Sequence, residues 1–149
     1  MRRFEVVEDA FRRSTGEIKL PTRGSKNSAG YDFYSPVGIV IPPHESALIW
    51  SDVKAHMYYD NVLMIATRSS MGKQPVTIAQ AVGLIDADYY DNESTGGNIG
   101  IRLYNAGNTP YVVNVGDRIA QGVFLKYGTV KDDNTTAERK GGFGSTGAN

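Results

Sequence analysis

Apolar residues along this chain come in short runs, cut at close intervals by Gly, Asn, Asp or Pro. Tyr31–Tyr34, Val37–Ile41, Ser46–Trp50 and Val62–Thr67 read as strands. So do Val76–Ala81, Gly83–Ile85, Ile99–Tyr104, Tyr111–Val115 and Arg118–Leu125. These runs are rich in Val, Ile and Tyr, and many short strands with frequent turn signals predict an all-β sandwich or barrel. Pro42-Pro43 excludes helix where it stands and marks a turn. Only Asp9–Arg13 and Ser69–Gln74 are candidates for short helices, and neither carries a sustained 3.6-residue apolar period. One stretch organises the rest. The apolar run Val82–Ile85 ends in Asp86, Asp88, Tyr89 and Tyr90, a polar loop follows from Asp91 to Asn98, and a new apolar run begins at Ile99. The simplest reading is a buried strand that delivers Asp86 to a pocket, then a turn and a returning strand.

The pattern changes at about Asp132. Lys131–Lys140 is charged and polar, and Gly141–Gly147 is nearly free of side chains apart from Phe143. Such a segment cannot bury enough surface to order itself. Residues 1–131 are therefore expected to form the folded domain, and 132–149 a mobile Gly-rich arm.

Composition narrows the function. At 149 residues the chain is expected to be one domain, able to bury about 68–70% of its unfolded surface without staples. It has no Cys, which excludes disulfides, thiol catalysis and cysteine metal sites, and its two His make a histidine zinc site a poor prospect. Lys and Arg total 16 and so do Asp and Glu, leaving no basic footprint for nucleic acid. No apolar segment follows Arg2-Arg3 as in a signal peptide, and no run approaches a membrane span. A soluble, cytoplasmic protein is the expectation.

Four segments carry candidate chemistry. A carboxylate at the end of an apolar strand, as Asp86 is, sits partly desolvated, which raises its pKa and improves it as a general base. Taken by itself, a turn-capping Asp is the favoured reading. The Asp86-x-Asp88 spacing resembles a calcium loop, but Tyr90 and Asp91 stand where that loop needs an oxygen ligand and Gly. Arg68-Ser69-Ser70 opens a candidate helix and combines N–H groups, hydroxyls and a fixed charge suited to phosphate; a simple N-cap explains the serines as well. In Gly116-Asp117-Arg118-Ile119-Ala120-Gln121, Asp117 and Arg118 read as a turn and ion pair, while Gln121 faces either a site or solvent. In the arm, a ring flanked by glycines with Ser145-Thr146 behind it suits a nucleotide lid, although no Lys or helix follows as in a Walker motif.

In this order the segments resemble the trimeric dUTPase family. Its five motifs correspond to Ala29–Ser35, Arg68–Ser70, Gly83–Tyr89, Gly116–Gln121 and Gly141–Gly147, spanning nearly the whole chain. The resemblance implies a β jelly roll of the β-clip type, a homotrimer with shared active sites, and an arm that closes over a site. It implies hydrolysis of dUTP to dUMP and pyrophosphate with Mg²⁺, which lowers dUTP and supplies dUMP for thymidylate synthesis. Asp86 would activate the attacking water, and Tyr89 would pack on deoxyribose and exclude a 2′-hydroxyl. Arg68, Ser69, Ser70 and Gln121 would hold the phosphates, while Gln80 and Ile101 complete the substrate-binding set. Phe143 would stack on uracil, with Gly144 beside it, and Arg139, Ser145 and Thr146 would grip the γ end. Mg²⁺ would be held by the triphosphate rather than by direct protein ligands, with Asp32 ordering one of its waters.

The chain departs from the family pattern in three places. Asp91 replaces the Gly of Tyr-x-Gly and the loop behind it is longer. Gln80 stands for Asn. The arm is one residue shorter, so either Arg139 or Lys140 meets the γ-phosphate. Two other readings compete. A dCTP deaminase shares the superfamily, but Ile85-Asp86-Ala87-Asp88-Tyr89 and the Gly-rich arm argue against it. A regulatory or binding protein on the same scaffold would use the Asp91–Asn98 loop as its contact surface.

Overall fold

Strand β7, Asn61–Ala66, shows how the apolar pattern becomes structure. Asn61, Leu63 and Ile65 are buried while Val62, Met64 and Ala66 are half-buried, the two-residue period of a strand with one face on the core. In the computed structural model, which describes residues 1–142, twelve strands form in all. They are β1 (Arg3–Val6), β2 (Thr22–Arg23), β3 (Tyr31–Tyr34), β4 (Ile39–Ile41), β5 (Ser46–Trp50), β6 (Val53–His56), then β7, followed by β8 (Val76–Ile78), β9 (Gly83–Asp86), β10 (Gly100–Asn105), β11 (Tyr111–Val113) and β12 (Arg118–Lys126). Every pairing is antiparallel. The largest sheet runs β2-β3-β12-β7-β9; β5-β10-β8, β4-β11 and β1-β6 complete a jelly roll. Both helix candidates are single 3-10 turns, Asp9–Phe11 and Ser69–Lys73.

The core joins residues from all these sheets. Phe33, Ile41, Leu63, Ile99 and Leu103 are fully enclosed. Phe4 on β1 packs edge-on against Tyr31 and Phe33, with ring centroids at 5.3 and 5.6 Å, which fastens the N-terminal strand to the main sheet. A second fastening is Asp52, whose carboxylate is fully buried. It accepts from the Arg13 and Ser14 amides, the Ser14 hydroxyl and the Asn98 side chain at 2.6–2.9 Å.

Four expectations need correction. β8 stops at Ile78, because Ala81 takes a positive φ of 72° and turns the chain. β9 is not buried throughout: it is the edge of its sheet, so Gly83 and Ile85 face the core while Leu84 and Asp86 face outward. Val82, read as part of the buried run, lies before β9 and is exposed. Arg118 pairs with Asp32 at 3.6 Å, not with Asp117, whose carboxylate instead accepts from the Asn114 amide and closes the turn.

Candidate active site

The expected site residues fall into two clusters on the five-stranded sheet. At one end, β3, β12 and β7 align Asp32, Gln121 and Ala66 side by side. Just beyond β7, the Arg68 guanidinium donates to Asp32 Oδ1 at 2.9 Å and to the Ser70 hydroxyl at 3.0 Å. Gln121 donates to the Thr67 carbonyl at 2.9 Å. Its side chain passes so close over Gly30 that a Cβ there would displace Oε1 from its present position. Ser69 is exposed, and the turn it opens has no side-chain cap, so the N-cap account of the serines does not hold.

Asp86 lies elsewhere. It pairs in register with Val62, four residues along β7 from Ala66, roughly 13 Å away at the rise of a strand. Its side chain is 56% exposed, so the expected desolvation is not found. Instead Arg139, reaching back from the arm, forks across two carboxylates: Nη2 donates to Asp86 Oδ2 and Nε to Asp88 Oδ1, each at 2.8 Å. The same guanidinium lies 5.6 Å from the centroid of the Tyr89 ring. Arg139 thus bridges the two half-exposed acids and lies over the Tyr89 ring, and only 7% of its own side chain remains accessible. Lys140 is exposed.

Tyr89 is buried, and burial pushes its phenol pKa up. The loop behind it fixes its hydroxyl in a relay. Asn92 donates to Thr95 Oγ1 at 2.7 Å, Thr95 donates to the Tyr89 oxygen at 3.2 Å, and Tyr89 donates to the Asn98 carbonyl at 2.6 Å. Asp91, where the family carries glycine, keeps a left-handed φ of 55°, a region that Asp tolerates better than most residues. Its carboxylate meets the buried Lys54 ammonium. Burial lowers the pKa of Lys54, but Asp91, Tyr90 and Glu5 outweigh that and raise it. The lengthened loop is therefore packed into the fold.

A cavity of about 700 Å³ opens between this loop and the turn after β8, lined by Gln80, Trp50, Gly100, Ser94, Thr95 and Gly142 among others. Gln80 enters it from the turn set by Ala81. Ile101 does not: it is 1% exposed and belongs to the core, paired in register with Ile49. Phe143, Gly144, Ser145 and Thr146 lie outside the described residues. Among the described residues no group of three or more His, Asp or Glu side chains is placed to hold a metal ion, and no helix is long and apolar enough to cross a membrane.

The sequence profile of the dUTPase family matches residues 16–147. The chain belongs to the dUTPase family. It is 36% identical to the deoxyuridine 5′-triphosphate nucleotidohydrolase of Lactococcus lactis, over 99% of both chains. It is 38% identical to the enzyme of that name from vaccinia virus, over 92% of this chain and 91% of the other. The crystal structure of a dUTPase from Streptococcus mutans superposes with a TM-score of 0.78 at 32% identity, covering 86% of this chain and 98% of that one. Beyond the family motifs, sequence reasoning missed Thr95, Asn92 and Asn98 as supports of Tyr89. The Asn92-x-x-Thr95 spacing, which suits a side-chain-capped turn, was the available signal.

Proposed function

We propose that this dUTPase-family chain hydrolyses dUTP to dUMP and pyrophosphate, with Asp86 as the base that activates water against the α-phosphorus. The water loses its proton to Asp86 as its oxygen bonds to phosphorus, and the bond to the bridging oxygen breaks to release pyrophosphate. The observation that carries the proposal is the Asp86–Tyr89 corner: an accessible carboxylate beside a ring whose hydroxyl is locked by its own loop. A ring held in this way suits a wall that admits deoxyribose and rejects a 2′-hydroxyl. Arg68 and Gln121 grip the phosphates. The arm, residues 132–149, closes over a site, and its Phe143 stacks on uracil.

Triphosphate hydrolysis is chiefly a matter of positioning and charge neutralisation. Mg²⁺, when carried on the triphosphate oxygens, supplies part of that neutralisation. Asp32 fits a role at its water shell. Oδ1 is taken by Arg68, but among the described residues Oδ2 meets only Arg118 at 3.6 Å, beyond hydrogen-bond length, and keeps a lone pair for a bound water. Arg139 fits as a group that substrate displaces, since phosphates compete with Asp86 and Asp88 for its fork.

The distance between the Arg68 and Asp86 clusters supports a homotrimer in which one chain supplies the phosphate grip and another the base. The exposed Val82, just before edge strand β9, and Leu84 on that strand offer apolar surface for such contacts. A cytoplasmic setting completes the proposal. The test is pyrophosphate release with Mg²⁺ from dUTP, UTP, dTTP and dCTP. Release from dUTP alone is expected. Ammonia from dCTP, or equal release from UTP, would overturn the reading.

A further inference from the structure

The longer loop behind the catalytic strand touches both the Tyr89 hydroxyl and the arm. Gly142 is buried against it: a Cβ at Gly142 would stand 2.6 Å from Thr95 Cγ2 and 3.1 Å from Ser94 Oγ. Upstream, Arg139 Nη1 donates to the carbonyls of Gly141 and Gly142 at 3.4 and 3.3 Å, while the same side chain covers Tyr89. Thr95 therefore faces two ways. Its methyl forms the floor on which the arm's backbone sits, and its hydroxyl is the middle link of the relay from Asn92 to Tyr89.

We propose that Thr95 is a positioning residue that couples seating of the arm to the orientation of Tyr89, so that this loop serves as the arm's receiver. The inference rests on the dUTPase reading above and extends it to a residue outside the five motifs. Chained hydrogen bonds polarise one another, so the relay holds the phenol ring in one place. The arm reaches it only where no side chain intervenes, and Gly142 meets that condition.

The chain's single tryptophan makes the coupling measurable without catalysis, because Trp50 lines the same cavity as Gly142 and Thr95. Gly142→Ala should unseat the arm, shifting Trp50 emission to the red and raising KM for dUTP on the order of tenfold, as expected for a methyl forced into a filled contact. Adding Thr95→Ser removes the opposing methyl and keeps the hydroxyl. The double variant should return to the emission and KM of Thr95→Ser alone. Thr95→Val keeps the shape but breaks the relay, and should lower the dUTP-over-UTP preference about five- to tenfold, the worth of one hydrogen bond. Unchanged emission in Gly142→Ala, a double variant no better than Gly142→Ala, or an unchanged preference in Thr95→Val would each overturn the coupling. If no form of the chain turns over dUTP, the dUTPase reading fails, and the emission series still decides whether the arm sits on Thr95.

Discussion

At the Ala66 end of β7 the charged groups are held by their own strands. Arg68 is fixed by Asp32 and Ser70, and Gln121 by the Thr67 carbonyl over a glycine that leaves it room. At the Val62 end, Asp86 ends an edge strand, Asp88 lies in the turn after it, and both are bridged by Arg139, a group from a distant part of the chain. The first end is organised before any ligand arrives, which suits electrostatic stabilisation because no reorganisation is needed later. The second end has a displaceable bridge, which suits gating. On the proposed roles, a phosphate grip can be permanent, whereas a base must be reached by water and substrate.

Substitutions can break or sharpen this contrast. The largest effect is expected at the bridged end. Asp86→Asn should lower turnover on the order of 10²–10⁴, the usual worth of a general base, while a non-hydrolysable dUTP analogue still binds in a titration. Normal pyrophosphate release from this variant would end its assignment as the base. At the organised end, Arg68→Ala should cost about 10²–10³ in rate. If the two ends act across chains, refolding the Asp86→Asn and Arg68→Ala chains together should restore turnover that neither shows alone. A mixture as inactive as its parts would place both ends in one chain.

A smaller effect is expected at Gly30→Ala, which drives a methyl into Gln121. It should lower the rate as the Gln121 amide is displaced from the Thr67 carbonyl, while stability in denaturant unfolding changes by no more than about 1 kcal/mol, the worth of that hydrogen bond. The smallest concerns Tyr89. Its pKa is raised by burial, so the phenol stabilises the fold fully below its unfolded value of about 10 and loses that contribution as pH rises through the folded value. Stability should fall on the alkaline side, and the slope should be shallower in Tyr89→Phe. Equal slopes would mean that Tyr89 ionises as freely in the fold as outside it.

Much of the fold could be read from the sequence where short runs rich in apolar residues are bounded by turn residues. Tyr31–Tyr34 and Ser46–Trp50 form as expected. β6 was invisible, because Val53-Lys54-Ala55-His56 reads as half polar, and Lys54 is buried only because Asp91, far along the chain, neutralises it. The same reason governs the site. Local motifs marked Arg68, Asp86 and Gln121, but nothing local indicates that Arg139 rests on Asp86, or that Thr95 supports Tyr89. Such contacts belong to packing between distant segments, and a linear pattern carries no record of them.

The buried Asp52 carboxylate changes what the stretch before Leu20 is. Arg13 and Ser14 lie in no strand or helix, yet both amides end on that carboxylate, which also holds Asn98 beside Tyr89. Under deuterium exchange these two protons should persist with those of the central strands rather than vanish with their irregular neighbours. Measured by the clock of local opening, the front of the chain belongs to the floor of the loop behind Tyr89.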